Sequence, residues 1–149
     1  MINGYIPAAR FLPFLSWTDV AALPDKSNTV IVLPTGAIEQ HGPHLPCSVD
    51  SVISSGVAGH ALARLPATIP AYAIPPIVYG KYEEHLHFPG TLTLSGDTLL
   101  HTLLEIAESL YRAGFRKLLM INGHGGQPQI LPIACRAMRL RHGDSIPIP

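Results

Sequence analysis

The chain has 149 residues with ten basic and ten acidic side chains, so its formal net charge is zero and nothing in it attracts a phosphate backbone or an anionic lipid surface. Apolar residues make up 47% and charged residues 13%, about half the usual ~25% charged share. Such a charge-poor surface implies that part of it is covered, by other subunits or by the remainder of a larger protein.

In chain order, residues 1–15 are punctuated by proline and glycine and read as a surface wrap; Phe11-Leu12-Pro13-Phe14-Leu15 is too short and broken for a signal peptide. Ser16-Trp17-Thr18-Asp19 has the form of a capping box opening a short helix. Thr29-Val30-Ile31-Val32-Leu33-Pro34 is apolar on both faces, as a buried parallel strand requires. A loop from Thr35 to about Val49 leads to a helix ending near Arg64. A second strand is expected around Ile74–Tyr79, with Pro75 and Pro76 confining its pairing to the later residues. Lys81–Ser95 reads as a long loop. Ser95 caps a helix with Leu99, Leu103, Ile106 and Leu110 on one face and Gly114 at its end. Lys117-Leu118-Leu119-Met120-Ile121 forms a third buried strand, and a last helix covers roughly Gln129–Arg141.

Alternating strands and helices imply an α/β fold with a mostly parallel, three-strand sheet and right-handed crossovers, over a single domain, 1–149. Ligands on such sheets bind beyond the carboxyl ends of the strands. Two polar clusters fall there. The first is Gly36-Ala37-Ile38-Glu39-Gln40-His41-Gly42-Pro43-His44-Leu45-Pro46 with Asp50, after the first strand; the second is Asn122-Gly123-His124-Gly125-Gly126-Gln127, after the third. Glu39 and His41 alternate and point the same way in an extended segment. A set of carboxylates and imidazoles suits Zn²⁺, Mn²⁺ or Fe²⁺ rather than the all-oxygen shell of Ca²⁺.

Alternative readings stand beside this one. Glu39 and Asp50 can be solvated loop acids or helix caps, and His124 can sit in a plain structural turn. A phosphate cradle at Gly123–Gly126 is disfavoured by the lack of GxGxxG or GK[ST] spacing. His85 and His87 alternate in a segment ending Phe88-Pro89-Gly90-Thr91, where pocket shaping or subunit contact is expected. His44 is placed to orient a ligand by hydrogen bonding. His60, His101 and His142 lie in helical stretches and read as surface or core residues. Cys47 and Cys135 form no CxxC motif and no disulfide framework, and no apolar run reaches the ~18 residues of a membrane span, which points to the cytoplasm.

The run Leu33-Pro34-Thr35-Gly36-Ala37-Ile38-Glu39-Gln40-His41-Gly42-Pro43-His44-Leu45-Pro46, with Asp50, Phe88-Pro89-Gly90-Thr91 and Asn122-Gly123-His124-Gly125-Gly126, resembles the creatininase (creatinine amidohydrolase-like) family. The resemblance implies a three-layer α/β fold binding two divalent metals, often assembled as hexamers, and hydrolysis of a C–N bond in small cyclic amides or formamides. It implies Glu39 on one metal, His41 on the second, Asp50 between them and His124 beside Glu39, with a metal-held hydroxide attacking the amide carbonyl. His44 and His85 remain candidates for orienting ligands or binding substrate.

Two departures accompany the resemblance. Creatininase itself completes the second metal with a glutamate at the position that is Gly126 here. Family members also continue well beyond this length, through a His-Ala-Gly-Glu-like segment with acid–base groups. The chain therefore reads as the amino-terminal part of the family fold, apparently truncated. A catalytically incomplete metal-binding fragment or interaction module is the alternative to an active amidohydrolase. A nucleotide-binding α/β domain is the weakest of the three readings.

Overall fold

The computed structural model describes residues 2–149. Helix α1 (Trp17–Ala22) opens with the expected capping box: Ser16 Oγ accepts from the Asp19 N–H at 3.1 Å, and the Ser16 N–H donates to Asp19 Oδ2 at 3.0 Å. There follow β1 (Val30–Thr35), α2 (Val49–Arg64), β2 (Ala71–Ala73), α3 (Gly96–Arg112), β3 (Lys117–Asn122), α4 (Ile130–Arg141) and β4 (Ile146–Ile148). The sheet is all parallel, in the order β2-β1-β3-β4.

The side chains of β1 divide the core. Ile31 and Leu33 face α3 and α4, packing with Leu99, Leu103, Leu118, Met120, Leu131 and Met138. Val32 faces α2, packing with Ala58, Leu62, Ala71, Ala73 and Phe11. Helices thus cover both faces, giving three layers. No helix among the described residues is long and apolar enough to cross a membrane.

Two expectations about strands are corrected. The second strand is Ala71–Ala73, earlier than the expected 74–79, because Pro75 and Pro76 have no N–H to give a ladder. Ile74 and Ile77 recover part of the expected pairing: the Ile74 N–H donates to Val32 O at 3.0 Å, and Ile77 donates to Pro34 O at 3.0 Å and accepts from the Gly36 N–H at 2.8 Å. The sheet also has four strands rather than three, since Ile146-Pro147-Ile148 pairs with Lys117–Leu119.

The two sheet edges are closed in different ways. The Ile146 N–H donates to Arg116 O at 2.7 Å, so strand alternation turns residue 147 outward. There Pro147 has no N–H, and its carbonyl accepts from Arg139 Nη1 at 2.9 Å. At the β2 edge, Phe11 bridges Ala73. Arg10 donates to the carbonyls of Leu65, Pro66, Ile69 and Ala71 at 2.8–3.3 Å.

Candidate metal centre

The ends of β1 and β3 lie side by side, with Thr35 in register with Asn122. The segments leaving them therefore meet above the sheet's carboxyl edge. Glu39 is fixed in the first segment by its N–H, which donates to Cys47 O at 3.0 Å, while neighbouring Ile38 bridges Leu92. Asp50 stands in the first turn of α2, where a carboxylate is favoured by the helix dipole. The turn carrying His124 packs tightly on that helix: a Cβ at Gly123 would lie 2.5 Å from Asp50 O and 3.0 Å from Ser54 Cβ. Only glycine fits, and it brings His124 to Asp50.

The structure brings Glu39, His41, Asp50 and His124 together. Glu39, Asp50 and His124 are 7%, 6% and 2% exposed. Glu39, His41 and Asp50 each offer a ligand atom within 4.8 Å of the others. His41 Nε2 lies 2.9 Å from Asp50 Oδ1, and His124 Nδ1 lies 2.6 Å from Asp50 Oδ2 and 3.0 Å from Glu39 Oε1.

The opposite nitrogen of each imidazole is committed to a backbone carbonyl. His41 Nδ1 is 3.1 Å from Glu39 O, and His124 Nε2 is 3.2 Å from Lys81 O. A carbonyl only accepts, so each of these nitrogens carries a proton and donates it. What remains is a ring nitrogen facing carboxylate oxygens, with Asp50 between the two rings. A neutral imidazole there sets lone pair against lone pair, and only a proton or a cation between them resolves it.

The electrostatics agree. Burial raises the Glu39 pKa; His124 offsets part of this, and the facing Asp50 carboxylate adds to it. Burial works against a charged His41, but the Glu39 carbonyl and the Asp50 and Glu39 carboxylates outweigh it and raise its pKa. Glu39 Oε2 is buried without a hydrogen-bond partner, which for a carboxylate is costly unless a cation occupies that side. Carboxylates and imidazoles, with both imidazoles oriented by carbonyls, fit divalent Zn²⁺, Mn²⁺ or Fe²⁺.

The other candidates lie further out. His85 Nδ1 is 3.9 Å from Glu39 Oε2 and 2.8 Å from Gln40 Nε2, so His85 stands beside the unpartnered oxygen. His44 is exposed on the turn, its ring against Gly42 and outside the cluster. His87 lies against Phe88, with ring centroids 4.3 Å apart. His142 is far away, bonded to Glu108 at 2.7 Å and stacked on Tyr111 at 3.7 Å.

Tyr82 carries no signal in the sequence, yet its ring meets His124 and His85 edge-on, with centroids 5.1 and 4.7 Å away. A Cβ on Gly126 would run into that ring and lie 2.6 Å from His124 Nε2. With Tyr82 so placed, no side chain fits at position 126.

A profile of the Creatininase family, described as creatinine amidohydrolase, matches residues 13–148. The chain is 35% identical over 122 residues to the mycofactocin precursor peptide peptidase of Mycolicibacterium smegmatis, covering 80% of this chain and 49% of the relative. It is 34% identical over 119 residues to the creatinine amidohydrolase of Pseudomonas putida, covering 76% and 44%. A crystal structure of creatininase superposes with a TM-score of 0.82 at 30% identity, over 93% of this chain and 56% of that one. Further creatininase structures, at a TM-score of 0.79, are of a Zn–Zn type and of a Mn form. The chain thus spans about half the length of the relatives it matches. Both named relatives are hydrolases, one an amidohydrolase and one a peptidase. On the family match over 13–148 and the shared fold, the chain belongs to the creatininase family.

Proposed function

We propose that the chain is a metal-dependent amidohydrolase that cleaves a C–N bond of a small cyclic amide or formamide. The observation that carries this is the pair of pinned imidazoles, His41 and His124, each turning its free nitrogen onto Asp50. Glu39, His41, Asp50 and His124 would hold two divalent cations, with Asp50 between them. Such cations supply Lewis acidity toward a carbonyl oxygen and lower the pKa of water.

The protein's own part is positional. Asp50 and the two imidazoles are held by α2, the Glu39 carbonyl and the Lys81 carbonyl, so little reorganisation is needed when charge develops. His85, fixed by Gln40, stands at the open side of Glu39 and is placed to contact a bound amide. The cysteines Cys47 and Cys135 are free, which suits a cytoplasmic setting. Val52, Ile53 and Val57 on the outward side of α2 are exposed and support a homo-oligomer, a hexamer by family resemblance.

The share of the relatives that is covered favours a second reading, in which this chain is the metal-binding half of a two-part site. One experiment addresses both. Metal content of the purified chain is measured by elemental analysis, and hydrolysis is assayed across cyclic amides and formamides, with Glu39→Ala as control. Bound Zn or Mn together with Glu39-dependent turnover supports the first reading. Metal without turnover supports the second, and a folded chain that takes up no metal sinks both.

A further inference from the structure

His124 reaches the carboxylates with Nδ1 because its Nε2 is held by the carbonyl of Lys81, 43 residues away in the chain. That carbonyl belongs to a surface loop, so something must hold it. Two side chains do. The Lys81 N–H donates to Gln127 Oε1 at 3.2 Å, and the N–H of Tyr82, on the same peptide as the Lys81 carbonyl, donates to Thr93 Oγ1 at 2.7 Å. Thr93 is anchored in turn, its hydroxyl lying 3.2 Å from Gly80 O and 3.1 Å from Leu94 O.

Gln127 is fully buried, at 0% exposure. Its Nε2 donates to Asn122 Oδ1 at 3.1 Å, and the same oxygen accepts the His124 N–H at 3.1 Å. Asn122 Nδ2 closes the ring by donating to His124 O at 2.8 Å. A fully buried amide earns its place only when its hydrogen bonds are made, and both arms of Gln127 serve the surroundings of one imidazole. The backbone of His124 is held through Asn122, and its ring through Lys81.

We propose that Gln127 and Thr93 are positioning residues of the site. Together they clamp the Lys81 peptide so that its carbonyl accepts a hydrogen bond from the Nε2–H of His124 and directs Nδ1 at Asp50 and Glu39. This deepens the metal-centre reading and rests on it for its consequence, though not for the clamp itself. Groups that orient a metal-ligating histidine typically contribute about 10–100-fold in metal affinity.

The test uses the full chain and its variants Thr93→Val, Thr93→Ser and Gln127→Met. Zinc affinity is measured by chelator competition, and the imidazole nitrogens of His124 are read by ¹⁵N NMR in the zinc-free protein at a pH where the ring is neutral. Thr93→Val and Gln127→Met are expected to weaken zinc by about 10–100-fold and to lose the single Nε2-protonated signature. Thr93→Ser, which keeps the hydroxyl, is expected to behave as wild type. If Gln127→Met does not fold, the two Thr93 variants carry the test. Folded Thr93→Val with wild-type zinc affinity and an unchanged ¹⁵N signature would overturn the proposal. Failure of the wild type to bind zinc would count against the metal centre, whereas the ¹⁵N signature reports on the clamp alone.

Discussion

Asp50→Asn removes the charge between the two imidazoles while keeping the shape of the side chain. Asp50 offers Oδ1 to His41 at 2.9 Å and Oδ2 to His124 at 2.6 Å, so an amide in its place puts an NH₂ against one ring and leaves no bridging carboxylate. At zinc 100 times above the dissociation constant, binding stabilises the wild type by about 2.7 kcal/mol. For a chain of this length each kcal/mol moves the melting temperature by about 2–4 °C, so zinc should raise it by about 5–11 °C. A hundredfold weaker site at the same zinc concentration leaves about 0.4 kcal/mol, a shift near 1 °C. Thermal melts of both proteins, in chelator and in zinc, measure this directly. An Asp50→Asn protein that keeps the full zinc shift would refute the bridging role.

The metal-free protein has a pH dependence of defined sign. The pKa of Glu39 and that of His41 are both raised in the folded state. Stability from these two groups is therefore fully present below their unfolded values and lost as pH rises through the folded ones. Melts in chelator should show stability declining as pH increases across those transitions, with a smaller decline in Glu39→Gln; a profile identical in both proteins would contradict the assignment. Gly123→Ala should lower stability by about 1–3 kcal/mol in urea titrations and abolish the zinc shift, since its Cβ would push Asp50 O and Ser54 apart from the His124 turn.

The elements with a strong pattern were legible in the sequence: the apolar run of β1, the i, i+3, i+4 face of α3 and the capping box at Ser16. The misplaced strands share a cause. Ala71-Tyr72-Ala73 has little β-branched character, and Ile146-Pro147-Ile148 carries a proline that local rules count against a strand. Each is held by its neighbour in the sheet, which no local pattern reports. The site divides in the same way. Glu39, His41, Asp50 and His124 are readable because they follow buried strands at short spacing. Lys81, Tyr82 and Gln127 act across 42 to 46 residues of chain, and one of them acts through a carbonyl that every residue type possesses.

The closed edges of the sheet limit how this chain can associate. At β4 the outward position offers no donor, since Pro147 has none, and its acceptor is already taken by Arg139. At β2 the Ala71 carbonyl is taken by Arg10, and Phe11 already bridges Ala73. A strand arriving from another polypeptide would find these outward groups already engaged. Strand addition, toward a larger sheet or toward a fibril, is disfavoured at these positions. A partner polypeptide is left to approach through side chains, against the faces and helices, where shape and apolar surface select it more sharply than backbone pairing would.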